Sequence, residues 1–393
     1  MMNPNWHYCS LGDAVFICDS LRKPINAHER NQRILGKPQD SLFPYYGATG
    51  QVGYIDGYLT DGEYVLLGED GAPFLDAYAP KAYLIQGKSW VNNHAHILKS
   101  KSDNKFLCYY LNYFNYKNYV TGTTRLKLTQ AEMKKIPVPC PSLTEQQRIV
   151  SKIEELFSEL DNSVAALNRT QQQLRSYQQS VINSYFADSN KLVISTLGEY
   201  ISSIESGKSF KCIETPPQTG ECGIIKVSAV TWGEFNENES KTCKTDQFIS
   251  KRAIHKGDFL FSRANTLQLI GNCVIVKHIE KELMLSDKIL RFNFTDNIHP
   301  LYMLYFLRSQ MGKSQIRTLS SGNQDGMRNI GQERIKKIQF PVRTKEEQLQ
   351  IASSIEAKLS ACKKIEATIS QTLKQAESLR QSILKQAFEG KLV

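Results

Sequence analysis

What this chain lacks narrows its chemistry before any motif is considered. Its nine cysteines, at 9, 18, 108, 140, 212, 222, 243, 273 and 362, include no Cys-x-x-Cys pair, so zinc is not suggested. An odd count with no basic-then-apolar leader in MMNPNWHYCS reads as reduced thiols in a cytoplasm. No run of about 18 apolar residues is present, which argues against a membrane span. There is no Walker A loop and no glycine-rich cofactor loop. Gly47-x-x-Gly50-x-x-Gly53 lacks the G-x-G-x-x-G order and reads as a hairpin turn. Thr215-Pro216-Pro217-Gln218 is not the Asn/Asp-Pro-Pro-aromatic element of an amino-methyltransferase. Glu356-Ala357-Lys358 imitates the end of a nuclease motif but has no convincing upstream acid. His94 and His96 have no Cys, Asp or Glu at ligand spacing, so a hydrogen-bonding role is expected of them. No catalytic residue, cofactor site or metal site is expected on this chain.

What is present is a repeat. Met133 to Phe186 returns without a gap at Ile335 to Phe388, an offset of 202 residues. Lys134, Lys135, Ile136 and Pro139 recur as Lys336, Lys337, Ile338 and Pro341. Glu145, Gln146, Ile149 and Ile153 recur as Glu347, Gln348, Ile351 and Ile355. The 393 residues therefore read as one plan used twice, a globular piece followed by a long helix. Hydrophobic residues at 41% suffice for two ordinary cores.

Residues 144–187 and 344–389 contain neither glycine nor proline. Ser142-x-x-Glu145 and Thr344-x-x-Glu347 are aligned capping boxes, and Gly390 suits a left-handed cap at the far end. Apolar positions fall at steps of three and four: Ile149, Ile153, Leu156, Leu160, Val164, Leu167, Leu174 and Val181 in the first helix. In the second they are Ile351, Ile355, Leu359, Cys362, Ile365, Ile369, Leu373, Ala376, Leu379 and Ile383. Helices of this length, roughly 65 Å, with one apolar stripe pair as coiled coils. An antiparallel pair related by a pseudo-two-fold is expected, the bland alternative being that each helix packs on its own globule. Glutamines 171, 172, 173, 178 and 179 interrupt the pattern as either a solvated face or a docking surface.

The charge sits in the globular pieces. Residues 1–143 carry 15 positive against 12 negative groups and 189–343 carry 22 against 15, whereas 144–188 carry 4 against 6 and 344–393 carry 8 against 6. A polyanion would meet the globules. The pieces match only at their edges: Ser10-Leu11-Gly12-Asp13 with Thr196-Leu197-Gly198-Glu199, and Asp19-Ser20 with Glu205-Ser206. Residues 45–55 read as strand, glycine turn and strand, and 64–68 and 82–85 as short strands. Residues 92–98 carry groups able to read base edges. Residues 106–118 read as a tyrosine-rich helix mirrored by 301–309. Residues 223–230 and 271–276 are strand-like. The polar stretches 121–127 and 319–329 read as matching flexible loops with unlike residues.

This order of parts resembles the specificity subunit of type I restriction–modification enzymes. The residues that carry the resemblance are MKKIPVP (133–139) with EQQRIV (145–150), IKKIQFP (335–341) with EEQLQI (346–351), and the ending AFEGKLV (387–393). PYYGATGQVGYID (44–56) and SSGNQDGMRNIG (320–331) also resemble segments of its target-recognition domains. The resemblance implies an α+β chain with recognition domains at 1–143 and 189–343 and spacer helices at 144–188 and 344–393. It implies a non-catalytic cytoplasmic subunit that reads a bipartite site in double-stranded DNA and carries two methyltransferase subunits. It leaves room for restriction subunits beside these partners; S-adenosylmethionine would belong to the methyltransferases, and ATP and Mg to the restriction subunits. The rivals are a fused methyltransferase, a coiled-coil adaptor with two protein-binding heads, and a methylation-only system.

By loop position and chemistry, the DNA contacts expected in the first head are Tyr46, Thr49, Gln51, Asn93, His94, Thr123, Arg125 and Lys127. In the second head they are Lys208, Lys211, Arg263, Asn265, Asn323, Gln324 and Arg328. Lys134, Lys135, Lys336 and Lys337 recur in both frames and suit phosphates or simple solvation.

Overall fold

The computed structural model describes residues 6–187, 193–324 and 326–392, the side chains of Asn323 and Gln324 excepted. The chain divides into two compact units, Met1–Arg169 with Thr368–Val393, and Thr170–Ala367. Each long helix contributes to both: Leu143–Ser184 is one helix and Lys345–Phe388 the other.

The repeated junctions fold alike because the same few atoms recur. Tyr8–Ser10 pairs antiparallel with Pro137–Pro139, and Ile194–Thr196 with Gln339–Pro341. The Leu11 amide donates to Ile136 O at 2.7 Å, and the Leu197 amide to Ile338 O at 2.8 Å. Gly12 and Gly198 leave room for the stems of Lys134 and Lys336; a Cβ on Gly198 would stand 2.9 Å from Lys336 Cβ. The ion pairs differ by one place in the repeat: Lys135 pairs with Glu132 at 2.6 Å, and Lys336, the counterpart of Lys134, with Glu333 at 2.8 Å.

Between the junctions the units share a topology that the unlike residues conceal. The first has an antiparallel four-stranded sheet in the order Val15–Ile17, Ala95–Ser100, Tyr64–Gly68, Ala82–Ile85. The second repeats it as Ile201–Ser206, Ile289–Phe294, Phe259–Ser262, Cys273–Ile275. A three-stranded sheet accompanies each. Phe43–Gly47 pairs antiparallel with Gly50–Ile55 and parallel with Trp90–Val91. Cys222–Ile225 does the same with Ser240–Cys243 and Glu282–Met284. The aligned acids meet buried partners on the neighbouring strand: Asp19 takes His96 at 2.8 Å, and Glu205 takes Arg291. Burial pushes the Asp19 carboxyl up, but His96, the Ile97 amide and Gln130 together bring it below its ordinary value. Arg291, with burial opposing, likewise lowers Glu205.

The two helices run antiparallel within each unit. In the first, Ile149, Val150, Ile153 and Phe157 share a core with Ile383, Leu384, Ala387 and Phe388, and Arg380 pairs with Asp161. In the second, Ile182 and Phe186 share a core with Ala352 and Ile355, and Gln178 donates to Glu366 at 3.2 Å. Each helix thus ends on the globule it did not start from, which excludes the reading that each packs on its own. Gln179 bonds Arg308 O and Lys313, so it tethers the helix to the second globule, while Gln172 and Gln173 are exposed.

Several expectations are corrected. Ile365 stands 47% exposed, and Leu379, 50% exposed, lines an open groove with Leu160, Val164 and Leu167 instead of a closed core. The Thr344–Glu347 box is reciprocal, but Glu145 gives its carboxylate to the Trp6 indole at 2.9 Å and only Ser142 caps. The tyrosine-rich helix spans Asn104–Tyr113 and stops where Phe114 turns extended; Phe114, Tyr116 and Tyr119 then pack as an aromatic knot. Residues 223–230 are a strand only to Ile225, followed by a 3-10 turn at Val227–Val230. Within the stretch 319–329, Leu319 ends the helix Gln310–Leu319, and Ser321–Gln324 pairs with Met327–Asn329 as a β-hairpin held against Ala264–Asn265.

Candidate nucleic-acid interface

In the first unit the tip of the Phe43–Gly47 hairpin, the turn at 92–94 and the loop at 121–127 converge on the end of the Tyr64–Gly68 strand. Backbone bonds fix the convergence. Asn92 N donates to Tyr46 O at 3.1 Å, Glu69 N to His94 O at 2.8 Å, Gly71 N to Leu126 O at 2.9 Å and Leu128 N to Glu69 O at 2.8 Å. The Tyr83 hydroxyl donates to Gly47 O, and its ring lies 5.8 Å from that of Tyr46. Burial raises the phenol of Tyr46, with Tyr54 adding to it, so it stays a neutral donor.

The expected contact residues of this unit are brought together here. Thr49, Asn93 and Thr123 are exposed on the loops, and Gln51, exposed on the strand Gly50–Ile55, donates to Gly53 O at 3.2 Å. The cations are compensated by two acids that the sequence reading missed. Arg125 pairs with Asp70 at 2.6 Å, His94 stands 3.5 Å from the same carboxylate, and Lys127 lies 3.6 Å from Glu69. Arg22 joins Glu69 to Asp19 at 2.5 and 3.1 Å. Arg125 and Lys127 still expose 61% and 51% of their side chains, so each can exchange its acid for a phosphate. His96, by contrast, is fully buried between Asp19 and Leu128 O.

The second unit builds the same convergence with other residues. Arg263 N donates to Lys288 O at 3.0 Å, and Ile330 N to Arg263 O at 2.9 Å. Ile330 is Leu128 displaced by the repeat offset, so Arg263 stands where Glu69 stands. The Glu69–Lys127 pair becomes Arg263 donating to Asn329 at 3.3 Å. Where Asp70 opposes Lys127, Ala264 opposes Asn329. Asn265 is opposite Arg328 and accepts from the Thr266 amide at 2.9 Å. Arg328 spends its guanidinium on the hairpin itself, bonding Ser320 O and Gly322 O at 2.9 Å each. Lys208 and Lys211 are exposed on a segment that reaches the same turn, through Lys208 N to Leu285 O at 3.3 Å and Ser209 to Asp287. The side chains of Asn323 and Gln324 lie outside the described residues, and their backbone forms one hairpin strand.

Glu69, Asp70 and Lys288 were not among the expected contacts, and Asn329 was not singled out within the polar stretch 319–329. The signal for Asn329 was available, since the 202-residue offset already maps it onto Lys127. Among the described residues no group of His, Cys, Asp and Glu is arranged to hold a metal ion, and no helix is long and apolar enough to cross a membrane.

A family profile described as the type I restriction modification DNA specificity domain matches residues 5–174 and again 195–375. The chain belongs to this family. A protein named as a type I restriction enzyme specificity subunit in Haemophilus influenzae is 36% identical over 148 residues, 37% of this chain and 36% of that one. The EcoKI specificity subunit of Escherichia coli K12 is 25% identical over 305 residues, 73% of this chain and 65% of that one. The specificity-family chain thus spans about one third and just under two thirds of these relatives. A chain from a solved type I R-M system, studied for its assembly and conformational transition, superposes with TM-score 0.71 at 15% identity, covering 100% of this chain and 99% of that one. The HsdS subunit of Thermoanaerobacter tengcongensis does so with TM-score 0.55 at 14% identity, covering 99% and 98%. These last two show the fold.

Proposed function

We propose that this specificity-family chain is the DNA-reading, non-catalytic subunit of a type I restriction–modification complex. The observation that supports it best is one hydrogen-bonded frame presenting unlike side chains, Glu69 and Asp70 in one unit and Arg263 and Ala264 in the other. Two readers of one build but different chemistry suit a bipartite target in double-stranded DNA, with one half-site per head. Lys and Arg would neutralise phosphates, and Tyr46, Gln51, Asn93, Asn265 and Asn329 would meet base edges.

In this reading the paired helices fix the length of the unread gap and carry two methyltransferase subunits, one per half-site, with restriction subunits able to join. S-adenosylmethionine is bound by the methyltransferases, and ATP with Mg by the restriction subunits; the chemistry happens on those partners. The direct test is photocross-linking of radiolabelled S-adenosylmethionine to the isolated chain and to its complex with the methyltransferase. Label on the methyltransferase alone, with sequence-dependent DNA retention only when this chain is included, is the expected result. Label on this chain would overturn the assignment.

A further inference from the structure

We propose that Met327 is an apolar base reader, its thioether side chain meeting the 5-methyl group of a thymine in the half-site read by the second head. This rests on the DNA-reading assignment above and goes beyond it by naming the chemistry of one contact.

Met327 opens the hairpin strand Met327–Asn329 and is 71% exposed. Counting back from the matched pair Leu128 and Ile330, its counterpart is Arg125, which pairs with Asp70. In the second head the place of Asp70 is taken by Ala264. A charged pair has thus given way to an alanine and a thioether whose sulfur is only a weak acceptor.

Met327 enters the hairpin through its backbone, opposite Gln324. The remaining ties are Arg328 on Ser320 and Gly322, the pairing of Ser321 with Asn329, and the bond from Ile330 to Arg263. An exposed, unbranched, polarizable side chain remains, next in sequence to Arg328 and two residues before Asn329 of the Arg263–Asn329 contact. Cations there can hold phosphates or guanine acceptors. What a thioether can distinguish is a methyl group, which among the four bases in the major groove only thymine presents.

The test uses the full chain with its methyltransferase and duplexes carrying the motif that the complex methylates. Each thymine of the second half-site is replaced in turn by deoxyuridine, which removes only the methyl. For one thymine, wild-type binding is expected to weaken about fourfold, the effect of losing one buried methyl. Met327→Ala should bind thymine and deoxyuridine duplexes equally, and Met327→Leu should restore the difference. A second half-site without a T·A pair, uniform tolerance of deoxyuridine by the wild type, or an unchanged difference in Met327→Ala would each overturn the proposal. Wild type that binds no duplex selectively would instead overturn the DNA-reading assignment itself.

Discussion

Glu69 and Arg263 hold the same place in two copies of one fold, and the comparison shows where this protein keeps its information. The backbone around them is the same: a strand ends, a turn carbonyl accepts from the residue's amide, and a leucine or isoleucine amide donates to the residue's own carbonyl. The surroundings differ in sign. In the first head Arg125, Lys127, His94 and Arg22 are met by Glu69, Asp70 and Asp19, so a phosphate must compete with carboxylates already in place. In the second head Arg263 turns to an amide, Arg328 braces its own hairpin, and Lys208, Lys211 and Lys288 are exposed. The difference agrees with the larger positive excess of residues 189–343. A constant frame with reversed electrostatics lets two units be built alike and, in the proposed function, meet different bases.

The most drastic way to break the comparison is to move one head relative to the other. Four residues inserted within Gln171–Gln173 should lengthen the unread gap or abolish methylation, and a methylated motif of unchanged spacing would show that the helices do not set it. Next in size is Arg291→Ala. It leaves Glu205 and Asp258 facing a buried vacancy and should cost the second unit about 3–5 kcal/mol while the first keeps its stability. Differential scanning calorimetry should then resolve an early transition absent from the wild type.

Arg328→Ala sharpens the contrast more gently. Its guanidinium ties three points of the hairpin, so the variant should loosen recognition by roughly tenfold at the second half-site and leave the first intact, as measured by binding to duplexes mutated in one half at a time. Equal loss at both halves would contradict separate readers. The smallest effect expected is on pH dependence. Asp19 and Glu205 are held below the ordinary carboxylate range, so the stability they add is complete above that range and is lost as pH falls through their lowered values. Asp19→Asn should flatten the acid limb of the first unit alone, in urea titrations between about pH 5 and pH 2.

The long helices and the junctions were legible because a 202-residue register repeats their atoms, down to the glycines that admit Lys134 and Lys336. The shared sheet topology was not. Period-two patterns are short in strands of three to six residues, and the matched positions differ in residue type, as Glu69 and Arg263 do. Among the expected contacts, exposed loop residues such as Thr49, Asn93 and Lys211 lie on the converging segments. The acids that face Arg125 and Lys127 were invisible, because ion pairs across 55 and 58 residues leave no local pattern. Arg328 looked like a reader, yet its nitrogens are bonded within its own hairpin. Sequence chemistry places a cation there and cannot say what already holds it.

The central claim is that two heads of one build read two different words. Mapping every methylated adenine in a host that expresses this chain with its methyltransferase tests it most directly. The account predicts one motif of two unlike halves separated by a fixed stretch in which all bases are tolerated. A continuous motif, or two identical halves, would contradict it.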